Sequence, residues 1–185
     1  PVHEVSIIPR GMAGGYTLYV PKEDKTYRYK SEMLDELVSL LGGRMAEQIV
    51  RGDVSTGASN DIERATEVAR KMVTKYGMSD DLGPVCYAES NDQVFLGRDY
   101  GHAKNYSELT ARAIDQEIKK IIANAYERTE KILTEHRDKL DALAEYLVKH
   151  EKIDGKKFAQ LMEGTLEVED EPHEVMETVD EIKTD

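Results

Sequence analysis

From Ser31 to Arg51 the apolar residues Leu34, Leu37, Leu41, Met45 and Ile49 recur at spacings of three and four. That is the period that lines up side chains along one face of an α-helix. A stripe of this length has to be buried, and the chain repeats the device. Ile62, Ala65, Ala69, Met72 and Val73 form a second stripe. A third begins at Ser107 and keeps the period through Ile114, Ile118, Ile121, Ala125, Ile132 and Leu133. After a soft break near His136 it resumes through Leu140, Leu143 and Leu147, as two packed helices or one bent helix. The predicted fold class is mainly α.

The punctuation between the stripes supplies element ends. Ser31 is the expected N-cap of the first helix and Gly52 its stop. The second helix is predicted from Ser59 or Asn60 to Tyr76, with Asn60 and Glu63 as a capping box and Gly77 at the C-terminal cap. Asp154 is expected to cap a last short helix through Met162, with Ile153 and Phe158 as a hydrophobic staple. Near the N-terminus, Val5 to Ile8 and Tyr16 to Val20 are runs of strand formers separated by Gly11, Gly14 and Gly15. They predict a small β-hairpin. Between Met78 and Lys104, Gly83, Pro84, Gly97 and Gly101 interrupt short apolar pieces. A long ordered loop with a brief strand pair is the reading there.

With 185 residues, 39% hydrophobic and 34% charged, the chain suits one mid-sized domain, assigned to residues 1–164. Residues 165–185 are rich in Glu and Asp and contain no Phe, Tyr or Trp. Such a segment cannot bury enough apolar area to offset its ordering entropy, so it is read as an acidic tail. The net charge of -12 argues against a nucleic-acid partner, because a polyanion is repelled. The single cysteine, Cys86, cannot form an internal disulfide and is expected to be a small buried apolar residue. No apolar run approaches the roughly 20 residues that span a bilayer. Pro1 to Arg10 reads as the middle of a structure, which suggests a segment ahead of Pro1.

The polar turn from Val54 to Asp61 delivers a carboxylate to the first turn of a helix. Helix dipole and unpaired amides favour an acid there by about 0.3–1 kcal/mol, so a capping role stands beside a metal-ligand role for Asp61. Glu47 follows Gly43 by one helical turn. The pair Gly42-Gly43 costs roughly 1 kcal/mol per glycine in a helix, which suggests close approach of another backbone at that face. Glu47 is then either held at a packed junction or an ordinary solvated glutamate. His3, His102, His136, His150 and His173 stand far apart, and His3-Glu4 begins an H-E-x-x-H that Ile7 ends. The glycines from Gly11 to Gly15 lack phosphate-loop spacing, so nucleotide binding is not encoded here.

Several strings occur together in a recognisable order. They are Ile7-Ile-Pro-Arg-Gly11 with Gly15-Tyr16, Leu41-Gly-Gly-Arg-Met-Ala-Glu47, and Ser55-Thr-Gly-Ala-Ser-Asn-Asp61. Met78-Ser79, Leu82-Gly-Pro84, Val94-Phe-Leu-Gly-Arg98 and Ile114-Asp-Gln-Glu117 follow. In these the chain resembles the peptidase domain of the FtsH family, membrane-anchored AAA proteases, across nearly everything before the acidic tail.

The resemblance implies a helical zinc metallopeptidase domain in which Asp61 is a zinc ligand beside two histidines of H-E-x-x-H. Glu47 would be an outer carboxylate orienting a histidine ligand. It also implies a strand that pairs with extended substrate, placed at Gly15, Tyr16 and Thr17, where an ordinary hairpin strand is the equal alternative. The family's zinc helix would lie shortly before Pro1. The 185 residues alone would hold no catalytic residue and are expected to be inactive. For the parent protein the resemblance implies a homohexamer that degrades unfolded or membrane proteins, drawing on ATP through an AAA domain absent from this chain. Its membrane contact would run only through upstream segments, at the cytoplasmic face of a bacterial inner membrane or in an organellar membrane. The alternative is a non-catalytic helical scaffold or oligomerisation domain derived from the same family.

Overall fold

A computed structural model of the chain describes residues 1–9, 11, 14–20, 27–88 and 106–166. The Val94 to Arg98 string and nearly all of the acidic tail lie outside the described residues. The rest divides into two compact units, residues 21–141 and residues 1–20 with 142 onward.

The larger unit is helical. Its α1 spans Lys30–Arg51, α2 spans Ser59–Thr74 and α3 spans Glu108–Glu135. Each stripe read from the sequence supplies one wall of a shared core, except that Ile62 and Ile132 are exposed. Met33, Leu37 and Leu41 come from α1, Ala65, Ala69, Met72 and Val73 from α2, and Ile114, Ile118 and Ala125 from α3. Leu37 and Met72 are fully buried. Burial of such side chains contributes about 1.5–3 kcal/mol each, enough to hold helices whose isolated stability would be marginal.

Two polar links fix the helices against each other. The buried Thr129 hydroxyl donates to the Ala125 carbonyl at 2.7 Å, with the α1 carbonyl of Val38 at 3.3 Å. Tyr126 donates its hydroxyl to Gln48 Oε1 at 2.5 Å. The segment after α2 is tied down by a buried carboxylate. Glu117 of α3 accepts from the buried Ser79 hydroxyl at 2.7 Å and from Lys120 Nζ at 3.2 Å. A carboxylate so placed needs such partners, because leaving it unpaired would cost several kcal/mol.

Element ends differ from expectation where a carboxylate or a turn does the capping. The N-cap of α1 is Tyr29, not Ser31: Glu32 reaches back and accepts from the Tyr29 amide at 2.8 Å. Gly52 ends α1 as expected, left-handed at φ 71°. The Asn60–Glu63 box is not formed, because a tight turn feeds directly into α2 with Ala58 at the cap. Gly42 and Gly43 have no other part of the described chain within 4 Å of an added Cβ, so the expected close backbone approach is not met. Ser107 caps α3, its Oγ accepting from the Thr110 amide at 3.2 Å. His136, at φ -118° and ψ 34°, separates α3 from α4, Arg137–His150.

The smaller unit is an antiparallel three-stranded sheet in the order β2-β1-β3 with a helix against it. β1 spans Val2–Ser6, β2 Tyr16–Tyr19 and β3 Lys152–Asp154. Val5 pairs with Thr17 on one side and Ile153 on the other. β1 thus starts and ends earlier than the predicted run, leaving Ile7 and Ile8 exposed. The final helix, α5, spans Gly155–Glu163. Asp154 Oδ1 accepts from the amides of Lys156 and Lys157, both at 2.9 Å. Side chain is excluded at Gly155, where a Cβ would overlap the Val2 carbonyl oxygen.

Candidate metal centre

The chain crosses from α1 to α2 through seven residues, Gly52 to Ala58. Ser55 is extended at φ -100° and ψ 177°, and its Oγ accepts from the Gly57 amide at 3.1 Å. That bond opens a 3-10 turn over Thr56–Ala58, which runs straight into α2. The turn is anchored from outside. Glu47, in the penultimate turn of α1, accepts from the Ser55 amide at 2.9 Å through Oε2 and from the Ser55 hydroxyl at 2.8 Å through Oε1. These two bonds, the amide first, hold the Glu47 carboxyl below the usual carboxylate range, with Arg51 and Arg44 adding to the effect against desolvation. Glu47 is therefore held at the connection between α1 and α2 and is not a free surface glutamate.

Asp61 stands in the first turn of α2. Its side chain is 45% exposed and makes one long ion pair, 4.0 Å to Arg64. It accepts no hydrogen bond from the described residues. The capping role that physical chemistry offered this acid is thus not the one it performs. Its carboxylate points out from a helix terminus whose dipole favours negative charge. A carboxylate so presented suits a hard or borderline cation.

No group of three or more His, Cys, Asp or Glu is arranged to hold a metal among the described residues. Asp61 and Glu47 fit a part of a metal site and not a whole one. The described histidines do not join them as a cluster: His3 is exposed on β1, His136 marks the break after α3, and His150 stacks on Tyr146 at 4.3 Å between ring centroids.

Gly15, Tyr16 and Thr17 belong to the smaller unit. Gly15 packs tightly, since a Cβ there would come within 2.6 Å of the Ser6 carbonyl oxygen. Tyr16 and Thr17 open β2, an outer strand that has β1 as its partner on one side. Tyr16 donates its hydroxyl to Glu4 Oε1 at 2.6 Å. Sequence reasoning missed Ser55 as the hub of the α1–α2 connection. Its only signal was a serine two residues before a glycine, in a turn that leads into a helix.

The fold defines a mainly α domain that carries a small antiparallel sheet and presents an acid on a helix's first turn. A family model for peptidase family M41 matches residues 1–161, and the chain belongs to that family. It is 58% identical over 164 residues to the ATP-dependent zinc metalloprotease FtsH 1 of Thermoanaerobacter sp. (strain X514), covering 89% of this chain and 27% of that protein. It is 53% identical over 167 residues to the ATP-dependent zinc metalloprotease FtsH of Bacillus subtilis (strain 168), covering 89% and 26%. With the protein of the same name from Thermotoga maritima it shares 49% over 168 residues, covering 90% and 28%. The chain spans about a quarter of the length of these relatives. No described helix is long and apolar enough to cross a membrane.

Proposed function

We propose that this chain is part of a zinc metalloendopeptidase, ATP-dependent in its full-length form, in which Asp61 is one protein ligand of the zinc. The observation that carries the reading is the Asp61 carboxylate itself. It sits on the first turn of α2, takes no hydrogen bond from the described residues, and follows a turn anchored by Glu47. An acid that does no capping work at a helix N-terminus is available to a cation.

Sequence 1–185 contains no H-E-x-x-H, so two histidine ligands and the general base are supplied by residues outside it. Zinc, when bound, would lower the pKa of a coordinated water to near neutrality and polarise a peptide carbonyl. The residues of this chain do the supporting work. Asp61 completes the ligand set with a fixed negative charge. Glu47 accepts one bond on each oxygen from Ser55 and retains lone pairs with which to orient a neighbouring histidine ligand. The outer strand that begins at Tyr16 and Thr17, with Gly15 just ahead of it, offers backbone groups to an extended peptide, which suits cleavage with little sequence preference.

The relatives' names support ATP dependence, and the remaining parts follow from the resemblance to the FtsH family. ATP acts through an AAA domain outside these residues, in a homohexamer that takes unfolded or membrane proteins as substrates. Membrane attachment lies in other segments, with the peptidase on the cytoplasmic face of a bacterial inner membrane or its organellar counterpart.

The test is Asp61→Asn in the full-length protein, read by zinc content after gel filtration and by proteolysis of an unfolded substrate. The expected result is loss of zinc and of cleavage with helix content unchanged. Full zinc occupancy and activity in that variant would remove Asp61 from the site. Wild-type protein that carries no zinc would point instead to a non-catalytic scaffold.

A further inference from the structure

Ser55 bonds to both the carboxylate near the end of α1 and the turn that opens α2. Its amide and hydroxyl both donate to Glu47, at 2.9 and 2.8 Å, while the same hydroxyl oxygen accepts from the Gly57 amide at 3.1 Å. A hydroxyl has one proton to give and lone pairs to receive, so Ser55 Oγ is used in both directions at once. The Glu47 carboxylate strengthens each link, since hydrogen bonds to an ionised acceptor are roughly twice as strong as neutral ones. Gly57 sits close to this pair: a Cβ there would lie 3.2 Å from Ser55 Oγ and 3.9 Å from Glu47 Oε1. Ala58, next in line, is buried, and Asp61 follows three residues later in the first turn of α2. Hydrogen bonds therefore run from Glu47 through Ser55 to Gly57, and the backbone carries on from there into the first turn of α2, where Asp61 stands.

We propose that Ser55 is a positioning residue for Asp61, tying the entry turn of α2 to Glu47 and so setting where the Asp61 carboxylate is presented. The inference rests on the reading of Asp61 as a metal ligand. It gives Glu47 a second task, reached through Ser55 and separate from any contact with another ligand. Loss of the Ser55 hydroxyl leaves Glu47 with the amide alone and frees the Gly57 amide. The helix survives on its buried stripe, and the presentation of Asp61 loosens.

The experiment uses the full-length protein as wild type, Ser55→Ala, Ser55→Thr, Glu47→Gln and Asp61→Asn. Zinc affinity is measured by chelator competition, ligand geometry by the visible spectrum of the cobalt-substituted protein, and stability by thermal unfolding of the metal-free form. Ser55→Ala is expected to bind zinc about 10-fold more weakly, the low end of the range for loss of a group bonded directly to a ligand because Ser55 acts on Asp61 only through the turn, with an altered cobalt spectrum and little change in metal-free unfolding. Ser55→Thr retains the hydroxyl and restores both readouts. Glu47→Gln, which keeps one acceptor oxygen, falls between. Wild-type affinity and spectrum in Ser55→Ala, with zinc lost in Asp61→Asn, would overturn the positioning role and leave the ligand reading standing. Undiminished zinc binding in Asp61→Asn would overturn both. A drop in metal-free stability that accounts for the loss of zinc, unrelieved by threonine, would make the serine a structural brace only. If Ser55→Ala does not fold, wild-type affinity and spectrum in Glu47→Gln would overturn the proposal equally.

Discussion

Single residues decide the tightest places in the helical unit. Gly77 lies just past α2 at φ 59°, and a Cβ there would come 2.8 Å from Pro84 Cα and 3.0 Å from Pro84 C. Left-handed backbone and backbone crowding coincide, so relief by a rotamer change is not available. Gly77→Ala is expected to destabilise the protein by more than about 1–2 kcal/mol, the penalty for left-handed conformation alone, as read by urea unfolding. That glycine was legible from sequence as a helix stop, but its contact with Pro84 was not. The cysteine was misread: Cys86 is exposed, not buried. It lies between Val85 and Tyr87, and it is Tyr87 that packs on the core and meets the Tyr106 ring edge-on. Composition alone does not say which residue of an extended segment faces inward. At the candidate metal site, Asp61 stood out because a polar turn led straight into an apolar period. The Glu47–Ser55 link obeys no helical or strand spacing, since the partners lie on opposite sides of a helix end.

Whole elements were most readable where one period runs long. The stripes of α1, α2 and α3 became core walls because three buried residues on one face outweigh any local preference. The break at His136 was visible as an interruption of the same period. β3 went unseen because three residues with one apolar side chain carry no alternation, and Ile153 was read as half of a helix staple. It is instead 1% exposed in a strand paired with Val5. Asp154, one residue on, belongs to both elements, ending β3 and capping α5. Its carboxyl is held below its ordinary value of 3.8, chiefly by the Lys157 amide and then by that of Lys156, against desolvation. A group with a lowered folded pKa stabilises fully above its unfolded value, and that contribution fades as pH falls through the folded one. Asp154→Ala should therefore cost about 0.5–2 kcal/mol near neutral pH. The gap between variant and wild type should narrow below about pH 4, where the unfolded carboxyl begins to protonate. Hydrogen exchange of the α5 amides across that range is the measurement.

At the scale of the molecule, the described chain is two compact units, and the larger holds the continuous core. Leu37 is wholly enclosed in it. Leu37→Ala should lower stability by about 2–5 kcal/mol, the range for a cavity left among packed helices, with far-UV helix signal retained at low denaturant. The divisions fall after residue 20 and within α4, and nothing in the composition marks either place. The same buried interior has a chemical side. Met33, Met45 and Met72 are all buried in the helical unit, where peroxide cannot reach their sulfur atoms while the helices stay packed. Each opening exposes them, and a thioether converted to a sulfoxide becomes polar and resists repacking. The extent of sulfoxide at these three positions would then record how often the unit has come apart, a memory of past heat or oxidant that persists until a reductase erases it.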